Sequence, residues 1–150
     1  MCIRDRLDFV AEYQIEFEQL IIIETGGMKN RQRNIERSEL LTALKKGFPH
    51  SKIVSEYGMT EMLSQAYALN AIEYRGTPFL KFLISDPTDP MQFLETGRRG
   101  IINVMDLANI HSCSFLQTED IGILNENGNL QVLGRFNPED TRGCVQMYEG

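Results

Sequence analysis

An α/β fold, with a βαβ-type half followed by a β-rich subdomain, is what the sequence predicts. Three observations carry this. A strand, loop, helix, strand order reads across residues 20–55, and apolar runs of strand length crowd the chain from Phe79 onward. Asn127-Gly128 also sits between two such runs, which predicts a hairpin at 121–133.

Taking the elements in order, residues 7–19 place Leu7, Val10, Ala11, Gln14 and Ile15 along one helical stripe. Leu20-Ile21-Ile22-Ile23 reads as a buried strand, which Glu24-Thr25-Gly26-Gly27 breaks. Ser38 is a good N-cap for a helix through about Lys46, with Leu40, Leu41 and Leu44 as its apolar side and Gly47 as its stop. A short strand follows, Lys52 to Ser55. In such units ligands bind beyond the carboxyl ends of the strands, where both Gly26-Gly27 and Tyr57–Glu61 fall. Downstream, strands are expected at Phe79–Ile84, Gly100–Met105, Ile121–Asn125 and Asn129–Leu133, with the last pair joined at Asn127-Gly128 because both residues tolerate positive φ. Asp86-Pro87-Thr88-Asp89-Pro90 reads as a surface turn.

With 150 residues, 42% hydrophobic and 24% charged, the chain is long enough to bury one core. A net charge of −6 argues against broad nucleic-acid binding, which needs a basic face. No apolar run approaches the roughly 18–20 residues of a membrane span, and no secretory signal is present. The three cysteines, Cys2, Cys113 and Cys144, are odd in number and lack metal-ligand spacing, so neither a disulfide framework nor a zinc site is indicated and a reducing cytoplasm fits best. His50 and His111 show no partner pattern and read as helix-end or packed histidines. The first six residues, MCIRDR, resemble a translated sequencing adapter and are set aside as a non-native leader. Residues 7–150 are then expected to be the carboxyl-terminal portion of a larger protein.

Three short motifs carry chemistry. Tyr57-Gly58-Met59-Thr60-Glu61 groups an aromatic ring, a hydroxyl and a carboxylate; Thr118-Glu119-Asp120-Ile121-Gly122 and Leu133-Gly134-Arg135 follow in order. Each has a plain structural alternative. Thr60 would cap a helix running through Ala66, with Glu61 favouring its positive end. Asp120 would be a solvated turn acid, and Arg135 an exposed cation on a hairpin end.

The order and spacing of these motifs resemble the adenylate-forming enzyme superfamily. More closely, the chain is similar to the acyl-protein synthetase of the bacterial luminescence fatty-acid reductase complex, over nearly all of Ile21 to Met147, including Glu24-Thr25-Gly26-Gly27, Ser64-Gln65-Ala66-Tyr67 and Asp106-Leu107-Ala108-Asn109. The resemblance implies a fragment of the large domain of an adenylate-forming enzyme, using ATP and Mg²⁺ to activate a fatty acid and pass it to a thiol. It implies that Tyr57 stacks on adenine beside Gly58, that Gly26 and Gly27 let backbone approach the base edge, and that Thr60 donates to the α-phosphate. Glu61 would meet Mg²⁺, Asp120 would accept both ribose hydroxyls, and Arg135 would add a charged contact. Asp106 and Asn109 would support the pocket, although a turn after a strand explains them equally well.

Cys144, beside Arg142, stands where such synthetases place their acyl-accepting cysteine, and the neighbouring cation favours its thiolate. A small buried hydrophobe is the alternative for it, and Cys113 lies within an apolar stretch. Met59, Met62, Leu63 and Phe79 are candidates for an acyl-pocket wall, or plain core. The Ser/Thr/Gly-rich phosphate loop of the superfamily has no counterpart in the sequence, nor does the small carboxyl-terminal domain with its lysine, so the piece alone is not expected to turn over. Two other readings stay open: an aryl- or phenylacetate-type CoA ligase fragment, and a non-catalytic nucleotide-binding module that docks on an acyl-reductase partner.

Overall fold

The computed structural model describes Glu12, residues 20–25 and residues 37–136. Apart from Glu12, which is helical, the predicted helix over 7–19 lies outside the described residues, as do the Gly26-Gly27 pair and Cys144. Strand β1 (Leu20–Thr25) leads to helix α1 (Arg37–Gly47) and strand β2 (Ser51–Tyr57), and β1 and β2 pair in parallel with Leu20 opposite Ser51 and Thr25 opposite Glu56. This is the expected βαβ unit. The helix begins at Arg37, so Ser38 lies in its first turn rather than before it. Glu39 near its start and Lys45 and Lys46 near its end complement the helix dipole. Leu40 and Leu44 are buried against Ile53 of β2. Each such leucine contributes about 1.5–3 kcal/mol when taken fully out of water.

Beyond Glu61 the chain does not form the helix that the capping alternative allowed. It turns and becomes strand β3 (Ala66–Ala68), antiparallel to β2 with Tyr57 opposite Ala66. Met62, Ser64, Ala66 and Ala68 are buried while Leu63, Gln65, Tyr67 and Leu69 are exposed, a period of two that small residues make hard to see in the sequence.

The remaining strands are β4 (Glu73–Tyr74), β5 (Leu80–Ser85), β6 (Arg99–Asp106), β7 (Phe115–Leu124) and β8 (Leu130–Arg135). They form an antiparallel sheet in the order β4-β8-β7-β6-β5, and a Tyr67–Arg75 bridge joins it to the first sheet. The main core lies between the two sheets and includes Tyr57, Met62, Tyr74, Phe82, Ile102 and Leu130. The hairpin forms around Asn127-Gly128 as expected, but only Gly128 uses positive φ (74°). Asn125 secures the turn by accepting the amides of Asn127 and Asn129, each at 3.0 Å. The Asp86 turn forms too, its carboxylate accepting the Thr88 hydroxyl at 2.6 Å and the Thr88 amide at 2.7 Å.

The sequence placed Thr118–Asp120 ahead of a strand starting at Ile121; the structure places it within β7. Among the described residues, no helix is long and apolar enough to cross a membrane.

Candidate functional site

Two irregularities in the larger sheet shape the site. Between β6 and β7 the register runs from Ile101–Ile121 to Asn103–Gln117, so two extra residues of β7 stand opposite Ile102. A bulge leaves ladder groups unpaired. Here the Thr118 hydroxyl fills the gap, donating to the Ile102 carbonyl at 2.9 Å and accepting the Asp120 amide at 3.0 Å. The second irregularity lies between β7 and β8, where Ile121 pairs with Gly134 but Gly122 pairs with Val132. The extra residue, Leu133, shifts the alternation of β8 so that Arg135 falls opposite Asp120. Gly134 takes φ 147°, a conformation that a side chain at this position would strain.

Asp120 is the meeting point. Its Oδ2 accepts the Tyr57 hydroxyl at 2.9 Å, a bond between residues 63 apart in sequence, and its Oδ1 lies 3.8 Å from Arg135 Nε. The Arg135 side chain is 72% exposed, so this pair is weak and the guanidinium is free to engage a ligand. Tyr57 ends β2 and is 9% exposed. Its ring packs edge-on against Tyr74 at 5.8 Å and Phe82 at 5.9 Å between centroids. Little of the ring is therefore left open to solvent. Burial, then the charge of Asp120 and the hydrogen bond to it, push the phenol above its ordinary range, so the hydroxyl stays a donor across the working pH range.

Thr60 and Glu61, both exposed, are the central residues of a turn closed by the Met62 amide on the Met59 carbonyl at 3.0 Å. The chain is gripped immediately after this turn. Asp106, fully buried at the end of β6, accepts Leu63 N and Ser64 N, each at 2.8 Å, on Oδ2, and the Ser64 hydroxyl at 2.7 Å on Oδ1. Asn109 donates to the Glu61 carbonyl at 2.8 Å and the Cys113 carbonyl at 3.0 Å. Burial on its own pushes the Asp106 carboxyl up, but the bonds from Ser64, Leu63 and Ala108 outweigh it and hold the group below its usual range. A lowered carboxyl stabilises the fold while ionised, so its contribution is present above the ordinary carboxylate range and fades as pH falls through the lowered value. Urea melts at pH 7 and pH 5 should therefore show no loss assignable to Asp106, with the loss confined to more acid solution and absent from Asp106→Asn.

The structure thus brings Tyr57, Asp120 and Arg135 together and fixes the Thr60–Glu61 turn, with Gly58 exposed between Tyr57 and the turn. Several side chains fall elsewhere. His50 and His111 are exposed rather than packed, and Cys113 is exposed rather than buried, with its thiol on the Phe115 carbonyl at 3.3 Å. Of the proposed acyl wall, Met62 belongs to the core while Leu63 and Phe79 are 64% and 61% exposed. Thr118, Asp106 and Ser64 do more than their sequence signals suggested, because each acts through a partner distant in sequence.

Among the described residues no group of three or more His, Cys, Asp and Glu side chains could hold a metal ion. A single exposed carboxylate such as Glu61 suits Mg²⁺ that arrives on nucleotide phosphates and keeps its other ligands from phosphate and water. The donor set fits a nucleotide likewise: Asp120 has lone pairs to spare after Tyr57, Arg135 has free N–H groups, and Thr60 offers a hydroxyl.

No family model and no curated protein matches the chain. Solved structures do. A long-chain-fatty-acid-CoA ligase from Archaeoglobus fulgidus matches at TM-score 0.62 and 14% identity over 98% of this chain and 35% of that one. The luciferase-like enzyme of the nonluminescent mealworm Zophobas morio matches at 0.54 and 16%, over 92% and 41%. O-succinylbenzoate coenzyme A synthetase from Bacillus subtilis, in complex with AMP, matches at 0.53 and 19%, over 90% and 34%. The chain spans between a third and two fifths of the length of these proteins, and its fold is that of a fragment of the larger domain of adenylate-forming enzymes.

Proposed function

We propose that this chain forms the adenosine-binding part of an ATP-dependent acyl-activating ligase of the acyl-protein synthetase type, working in the cytoplasm beside an acyl-reductase partner. The observation that carries the reading is the Tyr57–Asp120 hydrogen bond, which joins two of the three motifs across two sheets. In this reading Asp120 accepts both ribose hydroxyls, Arg135 contacts ribose or phosphate, and Tyr57 with Gly58, Gly26 and Gly27 borders the base. Thr60 donates to the α-phosphate, and Glu61 meets Mg²⁺, which would neutralise phosphate charge there. The fatty-acid carboxylate attacks the α-phosphorus of ATP and pyrophosphate leaves. The Cys144 thiolate then attacks the acyl carbon, the bond to AMP breaks, and a thioester forms on the protein.

The likeness to CoA ligases supports a second reading, in which CoA rather than Cys144 takes the acyl group. Radiolabelled fatty acid, ATP and Mg²⁺, given to the product of the complete reading frame, separate the two. Label retained on the protein and lost in Cys144→Ser is the expected result. Label released as a CoA thioester selects the second reading, and AMP binding without pyrophosphate exchange selects a non-catalytic module.

A further inference from the structure

We propose that Asp106, assisted by Asn109, is the positioning residue that presents the Thr60–Glu61 turn to nucleotide phosphate and its magnesium ion. The proposal rests on the functional reading above and goes beyond it, since neither side chain touches ligand in that reading.

The geometry is that of a turn held at both feet. Met59 is partly buried against the main core, and Met62 is 5% exposed within it, so the two ends of the turn are anchored by apolar packing. Packing fixes position but not rotation. Rotation is set by hydrogen bonds: Asp106 takes two consecutive amides, Leu63 and Ser64, on one oxygen and the Ser64 hydroxyl on the other. Asn109 takes the carbonyl of Glu61 itself. The same Asp106 also accepts the Ala108 amide at 3.2 Å, which caps the 3-10 turn Leu107–Asn109 and thereby places Asn109. One carboxylate thus orients the end of the turn directly and, through Asn109, by way of the Glu61 carbonyl. Neither partner is a neighbour in sequence, Leu63 and Asp106 being 43 residues apart, so local turn formation does not require this acid.

With no exposure and four hydrogen bonds on its two oxygens, this carboxylate holds the segment that follows the turn in one orientation. What it supplies is orientation of a metal-facing side chain, for which an error of about 1 Å is costly.

The test uses the complete reading frame and calorimetry, with three ligand conditions: AMP in EDTA, ATP in EDTA, and ATP over a Mg²⁺ series. In Asp106→Asn, whose single acceptor oxygen can serve the Leu63 and Ser64 amides or the Ala108 amide but not both, AMP affinity is expected to stay within about threefold of wild type while the gain that Mg²⁺ gives ATP falls by about tenfold. Asn109→Ala is expected to move the same way by a smaller factor. A folded Asp106→Asn with the full Mg²⁺ gain overturns the proposal, as does an equal fall in AMP and Mg²⁺–ATP affinity, which is what a merely structural role gives. Should Asp106→Asn not fold, Ser64→Ala removes only the hydroxyl bond. An unmoved Mg²⁺ gain in both Ser64→Ala and Asn109→Ala is then the overturning result, and a reduced gain in either with AMP binding kept supports it. A wild-type protein that binds no AMP overturns the functional reading and this proposal together; intact AMP affinity with an unmoved Mg²⁺ gain overturns this proposal alone.

Discussion

Asp120→Ala is expected to cut AMP and ATP affinity by about 100-fold or more in the product of the complete reading frame, and to abolish fatty-acid-dependent pyrophosphate exchange. A hydrogen bond to a charged group is worth about 1.5–3 kcal/mol, and the ribose diol would lose two of them. The same change removes the partner of the buried Tyr57 hydroxyl, at a stability cost of about 1–3 kcal/mol. Asp120→Asn separates the two effects. Its amide oxygen can still accept from Tyr57, so the urea midpoint should return toward wild type while nucleotide affinity stays low. Tyr57→Phe gives the complementary case, freeing a lone pair on Asp120, and should change affinity by less than about tenfold. Calorimetric titration with AMP decides the matter: full affinity in a folded Asp120→Ala removes this residue from the site.

The parts of the fold that were legible in the sequence are those set by local chemistry. Leu20–Ile23, the leucines of α1 and Gly47 announce a strand, a helix and its end within a few residues of one another. Asn127-Gly128 specifies its hairpin because Gly128 supplies the one positive φ that the turn needs. The site was legible only as residue types. That Tyr57 and Asp120 touch follows from the register of β7 on β6, and the two extra residues opposite Ile102 cannot be counted without the partner strand. Arg135 reaches Asp120 through the extra Leu133, whose signal in sequence is no more than a glycine beside it. The Asp106 grip was hidden for the same reason, its donors lying 42 and 43 residues away. In place of the helix that Thr60 would cap, the Leu63 and Ser64 amides are taken by Asp106.

Ile102→Ala is expected to give the largest loss of stability among single core changes, about 2–5 kcal/mol by urea unfolding, against a total of about 5–15 kcal/mol for a domain of this kind. Ile102 has no exposed surface and belongs to the main core, directly opposite the β7 bulge. Leu133→Ala, at a residue 49% exposed, provides the control and should cost about 0.5 kcal/mol or less. The packing around Ile102 also explains Gly122. A Cβ there would stand 2.8 Å from both Ile102 Cγ1 and Cδ1, and 2.8 Å from the Gln131 carbonyl oxygen. Gly122→Ala alone should therefore cost about 1–3 kcal/mol by overpacking. In the Ile102→Ala background two of those three close contacts vanish while the carbonyl contact remains. The double variant should accordingly lose less than the sum of the single ones, by about 0.5 kcal/mol or more, without becoming neutral. Strict additivity would mean that Gly122 answers to the Gln131 backbone alone, and that the isoleucine opposite the bulge does not dictate the glycine two residues after Asp120.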